Sequence, residues 1–150
     1  MLNRLDQFED FVKGKPPGRI AVAAAHDDHV LKSIYEVYRK GYALPILIGD
    51  KEKIFRIADD LEIDVSAMTI IKELDERKCA DLAVNLVNNR DADLIMKGLM
   101  QTADLLKSVL ERDKGLRGTA LLSHIGACEV AGHRKLIFVT DAGINIAPDL

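Results

Sequence analysis

The chain has 150 residues, 48% hydrophobic and 30% charged, enough for one ordinary globular core with a polar surface. Its 21 Lys plus Arg against 24 Asp plus Glu leave a net charge of −3 with no basic block, which sets nucleic acid aside as a partner. No apolar run reaches the roughly 20 residues of a membrane-spanning helix, and residues 1–15 mix charges among apolar side chains where a signal peptide would be continuously apolar, so a cytoplasmic protein away from membranes is expected.

Residues 1–15 have helical spacing and predict a short first helix, closed by the loop KGKPPG. RIAVAAA, 19–25, then reads as a strand buried on both faces. Residues 28–40 follow as a helix with Val30, Leu31, Ile34, Val37 and Tyr38 on one face, Asp27 or Asp28 as cap and Lys40-Gly41 as its stop. ALPILIG, 43–49, is the second strand, and Asp50 caps a helix carrying Ile54, Ile57, Ala58 and Leu61. MTIIKE, 68–73, is a third strand, 75–90 a third helix, and DADLIMKG, 91–98, a fourth strand. Strands recurring at intervals of roughly 25 residues with helices between them predict βαβ units on a parallel sheet, an α/β fold.

The rhythm breaks after the loop DKGLRG. TALLSHIGACEV and KLIFVTDAGI are separated only by AGHR, which predicts an antiparallel hairpin and a second unit beginning near Gly118. The ending INIAPDL places a proline and an acid as a helix start would, so the chain is expected to be the N-terminal part of a longer protein or an unusually truncated relative. Two cysteines without a CxxC or matching histidines make neither a disulfide framework nor a zinc site. Cys79 shares a helical face with Leu82, Ala83 and Leu86 and is expected to be a packed core thiol, as is Cys128 in its apolar run.

Functional groups of open α/β sheets gather at the carboxyl ends of the strands. After the first strand, HDDHV at 26–30 offers metal-ligating residue types, but its aspartates are placed to cap a helix. Neither a GxGxxG fingerprint nor a Walker lysine motif is present. The fourth junction, KGLMQTAD, is richer. Lys97 ends the strand, Gly98 permits close approach to a ligand, and Thr102 is placed to cap the next helix with its N–H groups exposed. That combination suits an anion, yet every βα unit also needs a turn and a cap, so spacing leaves binding and architecture equally open. Lys107, a turn further on, reads by itself as a solvated charge. Ser123-His124 interrupts an apolar strand, facing either outward or a site. TDAGIN, with Asp141 and Asn145, reads equally as turn chemistry or as ligand groups.

Taken in order, KGLMQTADLLKSVL, LLSHIGACEV and VTDAGINIAPDL resemble the phosphate acetyl/butyryltransferase family, its butyryl branch in particular, and AVAAAHDDHVLKSIYEVYRKGYALPILIGDKEKI is similar to that family's opening. The resemblance implies transfer of a short acyl group from acyl-CoA to inorganic phosphate, with no cofactor beyond these substrates and with self-association into a homodimer. It implies a three-layer parallel-sheet domain of the isocitrate/isopropylmalate dehydrogenase type, with residues 1–117 as most of domain one and 118–150 as the opening hairpin of domain two. Lys97, the amides after Gly98 and Thr102 would then hold phosphate, with Lys107 adding positive field. Asp141 and Asn145 would shape the cleft from the second domain, with Ser123 and His124 as further substrate contacts. Related acetyltransferases usually carry arginine where this chain has Lys107, which keeps the charge but lacks the planar fork. Two other readings are a phosphate acyltransferase of lipid synthesis that uses acyl carrier protein, and a non-catalytic domain of the same fold that binds CoA or phosphate.

Overall fold

The computed structural model describes residues 3–118 and 122–141. The chain divides into two compact units, Pro16–Arg117 on one hand and Met1–Lys15 with Gly118–Leu150 on the other. The first fifteen residues, which the sequence assigns to the sheet domain, therefore cluster with the hairpin.

The larger unit is a parallel sheet of β1 (Gly18–Ala23), β2 (Ala43–Gly49), β3 (Thr69–Lys72) and β4 (Leu94–Lys97), in the order β3-β2-β1-β4. Ala21 of β1 pairs with Ile46 of β2 on one side and with Ile95 of β4 on the other, so β1 is buried within the sheet. Four helices accompany these strands: α2 (Asp28–Arg39), α3 (Lys51–Asp60), α4 (Glu76–Asn88) and α5 (Thr102–Val109), after a short N-terminal α1 (Phe8–Val12).

Alternation along β1 divides the core in two. Ala21 and Ala23 pack with Ile48 and with Cys79, Ala80 and Ala83 of α4, with Leu105 of α5 at the margin. Val22, Leu47 and Ala25 join Leu31 and Ile34 of α2, Ile54 and Ala58 of α3, and Val65 and Met68. Helices on both faces of a parallel sheet make a three-layer α/β unit. Small residues on β1 and α4 let that helix lie close to the sheet. Cys79 is fully buried, its Sγ donating to the Glu73 carbonyl at 3.6 Å, and burial pushes its thiol pKa up.

β4 is an edge strand, and Leu94 on it is exposed. It is less enclosed than its apolar sequence suggests, because only one neighbour pairs with it among the described residues. The smaller unit contains a hairpin of β5 (Ile125–Cys128) and β6 (Ile137–Thr140), antiparallel as its spacing predicts. Cys128 is exposed there, not packed, because a two-stranded ribbon buries neither face by itself. No helix among the described residues is long and apolar enough to cross a membrane.

Candidate functional site

The sheet order places β2 on one side of β1 and β4 on the other, so the chain reverses its direction of winding between β1 and β4. The crevice outside the carboxyl ends of these two strands is the topological switch point, where open α/β sheets bind ligands. The groups meeting there are Ala24 to Asp27 after β1, and Lys97 to Thr102 between β4 and α5.

The two strand ends stay joined beyond the regular pairing. Gly98 N–H donates to the Ala23 carbonyl at 2.8 Å and Leu99 N–H to the Ala24 carbonyl at 2.9 Å. A Cβ on Gly98 would overlap the Ala24 carbonyl oxygen and lie 2.6 Å from that of Ala23. The sequence assigns this glycine to close approach of a ligand; what the structure brings close is the backbone of β1. Ala24 is fully buried with φ +56°, a left-handed conformation costing roughly 1–2 kcal/mol in an L-residue. Strain of this kind in a non-glycine residue clusters at functional sites.

Lys97 is exposed, and its Nζ donates to the carbonyls of Met100 at 2.9 Å and of Gly98 at 3.3 Å. The cap position of α5 belongs to Gln101, which is extended and makes no side-chain cap bond. Thr102, assigned as cap by the sequence, is instead the first helical residue, so its hydroxyl is not placed to accept from the following turn. The other sheet helices are capped by aspartates: Asp27 accepts from Val30 N–H, Asp50 from Lys53 N–H and Asp75 from Lys78 N–H. The counterpart of these capped amides in α5, Asp104 N–H, has no side-chain acceptor and donates instead to the Gln101 carbonyl at 3.1 Å. Lys107 pairs with Asp104 at 2.9 Å along the exposed side of α5, which offsets much of its charge.

Other groups emerge only from the folded chain. Ser108 is 1% exposed and donates from Oγ to Asp81 Oδ1 at 2.6 Å, pinning α5 to α4. Asn88 adds a bond from its side-chain amide to the Lys114 carbonyl at 2.7 Å. His26 Nδ1 accepts from Asp50 N–H at 3.3 Å, and its ring occupies the place a Cβ on Gly49 would fill. The Asp50 carboxyl is held below its ordinary pKa, first by the Lys53 N–H. Nothing in the sequence flags Ser108, a serine within an apolar helical face, whereas His26 stands out in the sequence as the first residue of HDDHV, in the loop after β1. Asp27 caps α2, and Asp28 accepts from His29 N–H at 2.9 Å.

In the smaller unit Ser123 and His124 are exposed and precede β5, whose pairing among the described residues begins at Ile125. His124 N–H donates to Asp141 Oδ1 at 3.1 Å, and Asp141 N–H returns a bond to the His124 carbonyl at 2.8 Å. With φ +56°, Asp141 closes the open end of the hairpin. Asn145 lies outside the described residues. Of the residues selected from sequence, Lys97, Gly98 and Thr102 thus share one junction, with Lys107 a turn away, while His124 and Asp141 share another.

The family model described as Phosphate acetyl/butaryl transferase matches residues 76–150. The chain belongs to this family. It is 39% identical over 149 residues to a phosphate butyryltransferase of Clostridium beijerinckii, a match covering 99% of this chain and 49% of the relative. A phosphate acetyltransferase of Thermotoga maritima is 32% identical, with 97% and 49% covered. The chain spans about half the length of these curated relatives. Among solved structures, a branched-chain phosphotransacylase from Enterococcus faecalis V583 superposes with a TM-score of 0.67 over 87% of this chain and 45% of that one, at 24% identity, a likeness of fold. The family match takes in α4, β4, α5 and the hairpin, and hence both the Lys97–Thr102 junction and the Ser108–Asp81 pair; β1 to β3 lie before it.

Proposed function

We propose that this chain is part of an acyl-CoA:phosphate acyltransferase acting on short, butyryl-like acyl groups. The observation that carries the reading is the junction between β4 and α5, an uncapped helix start beside Lys97 at the switch point, inside the segment that matches the family. In the reaction a phosphate oxygen attacks the thioester carbonyl carbon, the tetrahedral intermediate collapses, and the C–S bond breaks to release CoA thiolate and an acyl phosphate. No covalent link to the protein is needed. The chemistry requires a phosphate held for attack and stabilisation of the developing oxyanion. The Thr102 and Ala103 amides at the start of α5 suit the first task, because N–H groups at a helix start and the helix dipole both favour an anion there, while Asp104 N–H already donates to the Gln101 carbonyl at 3.1 Å.

The remaining assignments extend this reading. Lys107 adds positive field, reduced by Asp104. Ser123, His124, Asp141 and Asn145 contribute from the second domain, which begins at Gly118, and the complete fold is of the isocitrate/isopropylmalate dehydrogenase type. The enzyme works in the cytoplasm as a homo-oligomer and needs no cofactor beyond its substrates.

The test is direct: the complete protein, given butyryl-CoA and phosphate, releases free thiol at a rate that depends on phosphate. Absence of thiol release with every short acyl-CoA tried overturns the reading. Preference for acyl carrier protein thioesters over CoA thioesters would move the activity to lipid synthesis.

A further inference from the structure

Lys97 differs from several lysines that form ion pairs among the described residues. Lys13, Lys53, Lys72 and Lys107 each pair with a carboxylate, whereas Lys97, among the described residues, bonds only to main-chain carbonyls. An ammonium has three donors, and two of them are engaged by Gly98 and Met100. The Gly98 carbonyl also accepts from Met100 N–H at 2.9 Å, which folds the turn tightly upon itself. From below, the same turn is held by the bonds from Gly98 and Leu99 to β1 and by the buried side chain of Met100, which packs with Ala23 and Ala24. From above, Lys97 is its one side-chain hydrogen-bonding tie among the described residues.

We infer that Lys97 is a positioning residue: its ammonium gathers the Gly98 and Met100 carbonyls to itself, fixing the β4–α5 turn so that the first amides of α5, and not these carbonyls, meet the reacting phosphate. The inference rests on the acyltransferase reading for its consequence, though not for the latch itself. Without the ammonium, the Met100 carbonyl oxygen would lose its partner and be free to turn toward an incoming anion, the Gly98 carbonyl keeping only its bond from Met100 N–H, and the helix start would lose its fixed place relative to β1. A small displacement of a group that positions substrate lowers the rate of the chemical step more than ground-state binding.

Hydrogen exchange and steady-state kinetics on the complete protein separate the possibilities. In Lys97→Met, the Leu99 amide exchanges at least about tenfold faster than in the unaltered protein, because the turn that shields its bond to Ala24 opens more often. In the same variant kcat falls by about tenfold or more, while the KM for phosphate stays within about twofold and keeps its dependence on ionic strength. Lys97→Arg, whose guanidinium can donate to both carbonyls, restores slow exchange and most of kcat; it also serves if Lys97→Met does not fold. Unchanged exchange in Lys97→Met overturns the latch. Faster exchange with an unchanged kcat overturns the positioning role. A large rise in phosphate KM with a weakened salt dependence and a preserved kcat makes Lys97 a direct phosphate ligand, which also overturns it. Should the unaltered protein transfer no acyl group, the functional reading fails, and exchange at Leu99 still decides whether the latch exists.

Discussion

At the far end of the sheet from the candidate site, Arg19 donates its backbone N–H and its guanidinium to the Asp93 carboxylate, while Asp93 N–H donates to the Arg19 carbonyl. The Arg19 side chain, and then its backbone N–H, hold the Asp93 pKa down from 3.8 to about 2. A carboxyl depressed in the folded state stabilises the fold above its unfolded pKa, and that contribution disappears as pH falls through the folded value. Denaturant midpoints measured from pH 5 down to pH 2 should therefore drop less steeply in Asp93→Asn than in the unaltered protein, with the difference arising below pH 4. Both side chains are partly exposed, so high salt should shrink the effect. Two glycines make a second comparison at this scale. Gly98→Ala meets rigid carbonyls and should destabilise by about 3 kcal/mol. Gly49→Ala meets the His26 ring, which can swing aside with the loss of one hydrogen bond, and comes within 3.2 Å of the Ala25 nitrogen, so it should cost less, about 1–2 kcal/mol. Urea unfolding of both variants checks the order; an equal cost would mean that the Gly98 backbone moves freely.

Helix starts distinguish the elements from one another. Three aspartate caps end the loops before α2, α3 and α4, while Gln101 before α5 makes no such bond. Gln101→Asp should raise stability by about 1 kcal/mol by supplying the absent cap. The same carboxylate would occupy the proposed anion site and repel phosphate, so the phosphate KM should rise although the protein melts later. Thr102→Pro is the complementary change, since proline suits the first helical position, Gln101 before it is already extended, and a single N–H disappears. The melting point should hold while kcat/KM for phosphate falls by roughly 10–100-fold, the worth of one hydrogen bond to a charged group. A normal phosphate dependence in Thr102→Pro would remove that amide from the site.

At the scale of the whole chain, protection should follow pairing. β1 and β2 are each paired on both sides and lie between two helix layers, so their amides should exchange most slowly, followed by the edge strands β3 and β4. The β5–β6 ribbon has, among the described residues, one partner per strand and exposes Ile125, Phe138 and Val139, so it should exchange fastest among these strands. Peptide-level hydrogen exchange of the native protein reads this gradient directly. Slower exchange in the hairpin than in β1 would show that the ribbon is covered over a large area.

The α/β class, the Asp50 cap, an aspartate cap on α2 at Asp27 or Asp28, the buried face of Cys79 and the antiparallel hairpin were all legible from the sequence, because each depends on local periodicity or on residues within a few positions of one another. Membership of the family was legible as well, since ordered motifs survive without coordinates. Tertiary structure alone decided that Gly98 makes room for the Ala24 carbonyl, that Lys97 is bonded to its own turn and that Ser108 ties α5 to α4. Two of these are contacts between segments far apart in the chain, and spacing along one segment carries no information about which group another segment brings to it. The third, the Lys97 bond, is local but depends on a turn whose shape is imposed by β1.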